Sequence, residues 1–534
     1  MRGKLLGITL ALVAGCADEP STGTTSNQAL TAAQQAGRET WLKATFGGEK
    51  FFSILAPNVL HLHLGLDAAL TSPRATRFQE WGLINQPGCY QGTAATGYLD
   101  YCPDDPESAG VVGVRKKAVK DANGNVTGFL VGVSCASCHA GYDAQNPPAN
   151  PNEPTWDNIH LTAGNQYINI GKIFGYHLPH DSAEWQVFNT WKPGTVDTTA
   201  IESDGINNPG IVTQFFSTPD RPYFDLHDMG LGITVHRGGQ GGEDDVGCEK
   251  AALRVYFNIG MCAAECMLPH LPPPLGGGGE IDDAQCSAAC PDYVAAKAAV
   301  GDMCDFMSTT TAPKLEAAPG GASYVNYTVI GRGKKVFEKS CAGCHSNGQP
   351  TGADKILSDD QIHLQPLIGT NACRSLTTNW MEGRIWGQFS SDEYKARFTG
   401  GPGFYRDVPL HGIWSTAPFF HNNALGGYNG DPSVAGRIAA YEDAMDQLLN
   451  PWKRDLLGSI ETSTTTVTNA HGAALPTPIP AGTPVAVFAN ADPTDPTNLL
   501  KNKCLDLLEN QGHYFGATLS ASDKYALTEY LKTK

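Results

Sequence analysis

Apolar positions in this chain come in short runs, separated by long polar or Gly/Pro-rich stretches. At the N-terminus Arg2 and Lys4 precede the apolar run LLGITLALVAG at 5–15. That run is too short to span a bilayer and has the shape of a secretory signal. VTGFLVGVS at 126–134 is the best strand signal. GRGKKVFEK at 331–339 places Val336 and Phe337 on a predicted helix that leads into a cysteine pair. LSASDKYALTEYLKTK at 519–534 has a serine cap followed by Leu527, Tyr530 and Leu531 at helical spacing. These elements predict a mainly α fold with long loops and few short strands. No short-period internal repeat is visible.

Polarity also divides the chain. Residues 18 to about 35 are rich in Ser, Thr and Ala and read as a flexible tether, assigned to 16–36. TAPKLEAAPGGASYVNYT at 311–328 reads as a linker or strap. The expected organisation is a signal at 1–15, the tether, one domain over 37–325 and a second over 326–534. With 534 residues, each domain has length enough for its own core.

Val13-Ala14-Gly15 before Cys16 resembles the small-small-Cys end of a bacterial lipoprotein signal. Cys16 would then be the lipidated first residue of the mature chain; an ordinary signal with a stray cysteine is the alternative. The expected location is exported, in a Gram-negative-type bacterium, anchored by lipid in the periplasm or at the outer-membrane surface. The formal charge of −17 argues against nucleic acid and would tolerate a basic redox partner.

GVSCASCHAG at 132–141 carries the first candidate chemistry. Cysteines at i and i+3 lie on one side of a helical turn, where both can form thioethers to one porphyrin while the next imidazole meets the iron. Cys135, Cys138 and His139 therefore read as a covalent haem c site, and Cys341, Cys344 and His345 repeat it 206 residues later. Half of a zinc site or a thioredoxin-like redox pair are the competing readings. Two haem c groups are the expected cofactors, in two cytochrome c-like haem domains.

Function turns on the sixth iron position, which shuttles electrons when filled by the protein and binds oxygen or peroxide when open. The helices ending at 339 and 531 bracket the second domain as the first and last helices of a class I cytochrome c do. That topology points to His513 as the sixth ligand, with His421 as runner-up and a surface histidine as the plain alternative. The first site shows no comparable candidate. His160, His177, His180, His227 and His236 lie downstream, as do Phe215, Phe216, Tyr256 and Phe257. Trp380, Trp386 and Trp414 are candidate relays between the haems.

Of fifteen cysteines, setting aside Cys16 and the four of the two motifs leaves an even ten. Two C-x3-C pairs flank a Pro/Gly-rich loop, which predicts two antiparallel helices stapled by Cys262–Cys290 and Cys266–Cys286, with Cys248–Cys304 closing the outside of a hairpin over about 248–304. A metal cluster is the alternative. Cys89–Cys102 and Cys373–Cys504 follow by elimination.

VPLHGIWSTAPFFHNNALGGYNGDP at 408–432 resembles the stretch joining the two haem domains of the dihaem cytochrome c peroxidases and their relatives, among them the enzyme that matures the tryptophylquinone cofactor of methylamine dehydrogenase. That resemblance implies an interdomain Ca2+ on the backbone carbonyls of Thr416 and Pro418, with Asn165 or Asn169 as a side-chain ligand. GVSCASCHAG, FNIG at 257–260 and QGHYFGATLS at 511–520 are most similar to the dihaem rubber oxygenases. This implies His139 as proximal ligand of an oxygen-binding haem, Phe257 as its distal residue, and a bis-histidine haem on His345 and His513. The chain departs from that family in a shorter second half and in its lipoprotein-like signal.

The expected function is thus a haem-dependent oxidoreductase, oxygenase or peroxidase, that activates dioxygen or peroxide at the first haem and uses the second for electron transfer. The expected partners are a small oxidant, O2 or H2O2, a small redox protein, and a hydrophobic polymer as candidate substrate. A lipid-anchored dihaem electron carrier with no substrate chemistry is the alternative.

Overall fold

The first described helix, α1 (Ala32–Lys43), is set by its cap. Thr31 accepts the Gln34 amide through its hydroxyl while the Gln34 side chain returns to the Thr31 amide. The expected tether to residue 36 therefore gives way to helix at Ala32. The computed structural model describes residues 29–58, 63–195, 248–270, 276–345, 365–370, 410–420, 422–454, 462–470, 472–485 and 510–534, with backbone alone at a few further positions. Cys16, Phe215, Phe216, His227, His236, Cys373, Trp380, Trp386, His421 and Cys504 lie outside the described residues.

Helices dominate, and every sheet among the described residues has two strands. The longest hairpin pairs β1 (Val114–Lys120) with β2 (Val126–Val133) antiparallel, Val114 opposite Val133. β2 feeds the single turn α2 (Ala136–His139). Gly113, at φ +74°, holds that turn in place: its carbonyl accepts the Ser134 amide, and a Cβ there would lie 2.1 Å from the Ser137 nitrogen.

One core gathers around α1, α3 (Cys248–Asn258), α4 (Asp283–Ala289) and α5 (Pro291–Met307). Its buried members include Trp41, Phe78, Cys135, Tyr142, Tyr256, Phe257, Tyr293 and Phe306. α1 packs directly on α5 at Gly37, where a Cβ would meet the Asp302 carbonyl oxygen at 1.9 Å.

Disulfides fasten this core. Cys248 joins Cys304, Cys262 joins Cys290, Cys266 joins Cys286 and, apart from these, Cys89 joins Cys102. The hairpin differs from two plain helices, because Cys262 to Cys266 lie on one wide helical turn over Ala263–Met267 instead of a full helix. Within each C-x3-C pair the second amide still bonds the first carbonyl, Cys266 to Cys262 at 2.8 Å and Cys290 to Cys286 at 2.9 Å. One turn suffices to stack the sulfurs.

A second core forms around α6 (Ile330–Ser340), α7 (Val434–Leu449) and α8 (Ala521–Leu531). α6 and α8 cross at Gly333, where a Cβ would sit 1.9 Å from the Ala526 carbonyl oxygen, and one turn on Phe337 meets Tyr530 at 5.6 Å between centroids. Ser520 caps α8 by accepting the Asp523 amide. Leu315, Ala318 and Val325 pack into this core, and the Trp414 indole donates to the Pro313 carbonyl at 2.8 Å. The segment 311–328 is thus a packed strap, and the chain joins the second core before the boundary expected at 325/326.

A smaller cluster of Leu70, Trp81, Leu83, Val111 and Ile173 lies over a buried ion pair. Asp100 accepts from Arg74 and Arg77, both at 2.7 Å, and the Arg77 and Asp100 side chains are wholly buried. Arg77 also donates to the Leu70 and Ser72 carbonyls. Removing one partner strands the other in the interior. Asp100→Ala should therefore lower unfolding stability by about 3–5 kcal/mol, read from the urea midpoint; a loss below about 1 kcal/mol would show that water reaches the arginines.

Candidate haem-binding sites

In the first site, α2 is one turn with the His139 amide on the Cys135 carbonyl at 3.0 Å, which keeps both cysteines and the imidazole on adjacent faces. Ser134 anchors the turn by donating its hydroxyl to the Leu42 carbonyl at 2.8 Å, and the Asn165 amide donates to the Cys138 carbonyl at 2.7 Å. Cys135 is buried and Cys138 exposed; neither is in a disulfide. Burial pushes the Cys135 thiol up to about 12, and the Tyr256 hydroxyl, which donates to the Met303 sulfur at 3.6 Å, lies beside it.

His139 has Nδ1 buried and unpartnered, with the Trp41 ring 6.1 Å away. Burial pushes its pKa down to about 4, so at neutral pH the ring is uncharged and keeps a lone pair for a metal. Phe257 is fully buried in the same core, stacked on Tyr293 at 5.5 Å. The side chain of α3 that reaches the motif is its neighbour Tyr256. Trp41, some hundred residues upstream, carried no local signal.

In the second site α6 delivers Cys341, and the Cys344 and His345 amides both return to the Cys341 carbonyl, at 3.0 and 2.8 Å. Neither cysteine is in a disulfide, and burial pushes the Cys341 thiol up to about 11. His513 arrives from the loop before α8, held by its amide on the Ile368 carbonyl at 2.7 Å and a left-handed φ of +52°. Gly512 precedes it at φ +82°, where a Cβ would strike the Thr370 nitrogen at 2.1 Å. Arg454 secures the loop by donating to the Asn510 and Gly512 carbonyls.

The His345 and His513 rings stand 6.1 Å apart between centroids. Two imidazoles bound to one iron from opposite sides, with metal–nitrogen bonds of about 2.0 Å, require ring centroids on the order of 6 Å apart. His513 has Nδ1 buried without a partner, and burial pushes its pKa down to about 4. The residues present fit a haem iron between the two rings.

The other histidines sort by surroundings. His177 is on the surface against Asp67 at 2.8 Å, and His180 stacks on Trp185 at 4.3 Å. His160 is buried.

In the T-A-P segment, the backbone oxygens on either side of Thr416 are taken by an arginine. Arg437 donates Nε to the Ser415 carbonyl and Nη2 to the Ala417 carbonyl, so a guanidinium already stands among these backbone oxygens. Asn165 turns its oxygen onto the Tyr167 amide, and Asn169 caps the Lys172 amide. A divalent cation beside Thr416 and Pro418 would adjoin a buried positive charge.

Neither the protein-family models nor the curated protein sequences contain a match to this chain.

Proposed function

We propose that the chain is a dihaem c-type oxidoreductase with two cytochrome c-like haem domains. The observation that carries this reading is the His345–His513 spacing of 6.1 Å beside a cysteine pair left out of disulfides. A repeat of the same cysteine pair and histidine in the first core supports a second haem. The four described cysteines outside disulfides are the four of the two motifs.

In this reading Cys135 and Cys138 fasten the first haem and His139 is its proximal ligand, kept neutral by burial. The bound haem would supply the redox chemistry of iron toward dioxygen or peroxide. The chain's part is to orient His139 beside Trp41, to hold Tyr256 beside Cys135, and to surround the motif with an apolar core that excludes water. His345 and His513 clamp the second iron, which suits electron relay. Phe257 remains the proposed distal residue of the first haem. Oxygen uptake with polyisoprene, against peroxide-dependent oxidation of a reduced cytochrome, separates oxygenase from peroxidase.

The protein is proposed to be exported and held by a lipid on Cys16. The disulfides suit an oxidising compartment. No described helix is long and apolar enough to cross a membrane.

Electron paramagnetic resonance of the resting ferric protein tests the assignment. The expected spectrum has one low-spin haem, lost in His513→Ala, and one high-spin haem unaffected by it. Two low-spin signals would leave an electron carrier without substrate chemistry.

A further inference from the structure

A cavity of ≈ 30 Å³ lies between the segment after the first motif and the segment around Thr416. Tyr142, His160, Gln166, Tyr167, Thr416 and Arg437 are among its walls. One water needs about 10–15 Å³ on this measure, so a group of two or three heavy atoms fits.

Two donors converge here. Arg437 is 3% exposed and makes bonds to the Ser415 and Ala417 carbonyls and, at 3.4 Å, the Tyr167 hydroxyl. A guanidinium has five N–H donors, so part of its capacity is unused. Among the described residues no carboxylate pairs with it. Asp431, whose charge is felt at Tyr167, is exposed and accepts the Ser433 amide.

The second donor is His160, 4% exposed. Its Nδ1 lies 3.3 Å from the Thr162 amide, so hydrogen bonding assigns the neutral ring's proton to Nε2. Nε2 is buried without a hydrogen-bond partner. Asp143, buried beside it, accepts the Gln145 amide at a carboxylate oxygen, and the Thr311 backbone lies near the ring. A buried cation and a buried N–H facing one small space call for an acceptor that carries negative charge.

We propose that this cavity binds a single carboxylate, held between the Arg437 guanidinium and the Nε2–H of His160. Its source is either a small free acid such as formate or a propionate arm of the first haem; only the second rests on the haem reading. His160 pairs with Gly141 in a two-residue strand just after the first motif, and Arg437 belongs to α7 of the second core. The bound carboxylate would latch the two cores together.

The test uses the full-length protein as isolated, dialysed into sodium gluconate, whose anion is too large for the cavity. Sodium formate is then added at constant ionic strength while the thermal unfolding midpoint is followed. A saturable rise that is lost in both Arg437→Gln and His160→Leu, and partly kept in Arg437→Lys, establishes a free carboxylate. With a propionate in place, formate has no effect, and Arg437→Gln and His160→Leu each shift the pH dependence of the Soret band. Neither a formate response in the wild type nor a variant-dependent Soret titration overturns the site. If haem analysis shows no haem, the formate arm alone decides, so failure of the haem reading stays distinct from failure of this one.

Discussion

Replacing Cys135 and Cys138 together by serine should halve the covalently bound haem, read as alkaline pyridine haemochrome absorbance per mole of chain. The thioethers cannot form without the sulfurs, and Cys135 is 6% exposed in the first core, so the loss reaches beyond the cofactor. The Cys341→Ser, Cys344→Ser variant should remove the other haem, and with it the low-spin spectrum attributed to His345 and His513. Unchanged haem content in either variant would eliminate covalent attachment at that motif.

Loss of the Cys248–Cys304 disulfide is the second large effect. The two residues are separated by 56 positions, and closing so long a loop lowers the entropy of the unfolded chain enough for a stabilisation of about 4 kcal/mol. Cys262–Cys290, at 28 positions, is worth slightly less on the same reasoning, and Cys89–Cys102, at 13, about 3 kcal/mol. Double alanine variants followed by urea unfolding without reductant should rank in that order. Cys248 and Cys304 are both fully buried, tying α3 to α5 beneath Tyr256. Their loss should therefore also loosen Tyr256, which lies beside Cys135 and donates to Met303 on α5. A Cys89–Cys102 variant weaker than the Cys248–Cys304 variant would show that loop closure does not govern these bridges.

How far the chain could be read in advance depended on distance along it. The strand at 126–134 and the helices through Val336 and Leu527 are local matters of periodicity and capping, and the structure has them at Val126–Val133, Ile330–Ser340 and Ala521–Leu531. His513 stands out in the sequence because its loop lies directly before a recognisable terminal helix, and the structure brings its ring to 6.1 Å from that of His345. The tether's end was misplaced because the polar segment 31–36 disguised a capping box, whose two side-chain bonds outweigh the low hydrophobicity of the first helical turn. The short T-A-P motif held no information about the arginine twenty residues further on that bonds its flanking carbonyls.

By itself the sequence determined which atoms can form covalent or coordinate bonds: the spacing of Cys135, Cys138 and His139, its repeat at Cys341, and the C-x3-C pairs. Such patterns are readable because one helical turn sets their geometry whatever surrounds them. Only tertiary structure decided what stands beside them. Trp41 meets His139 and Tyr256 meets Cys135 through packing among α1, α2 and α3. Arg437 bonds the Ser415 and Ala417 carbonyls and lines one cavity with His160, far from it along the chain. Burial then sets their chemistry, pushing the pKa of His139 and His513 down to about 4 and enclosing the Arg437 guanidinium among backbone carbonyls and the Tyr167 hydroxyl.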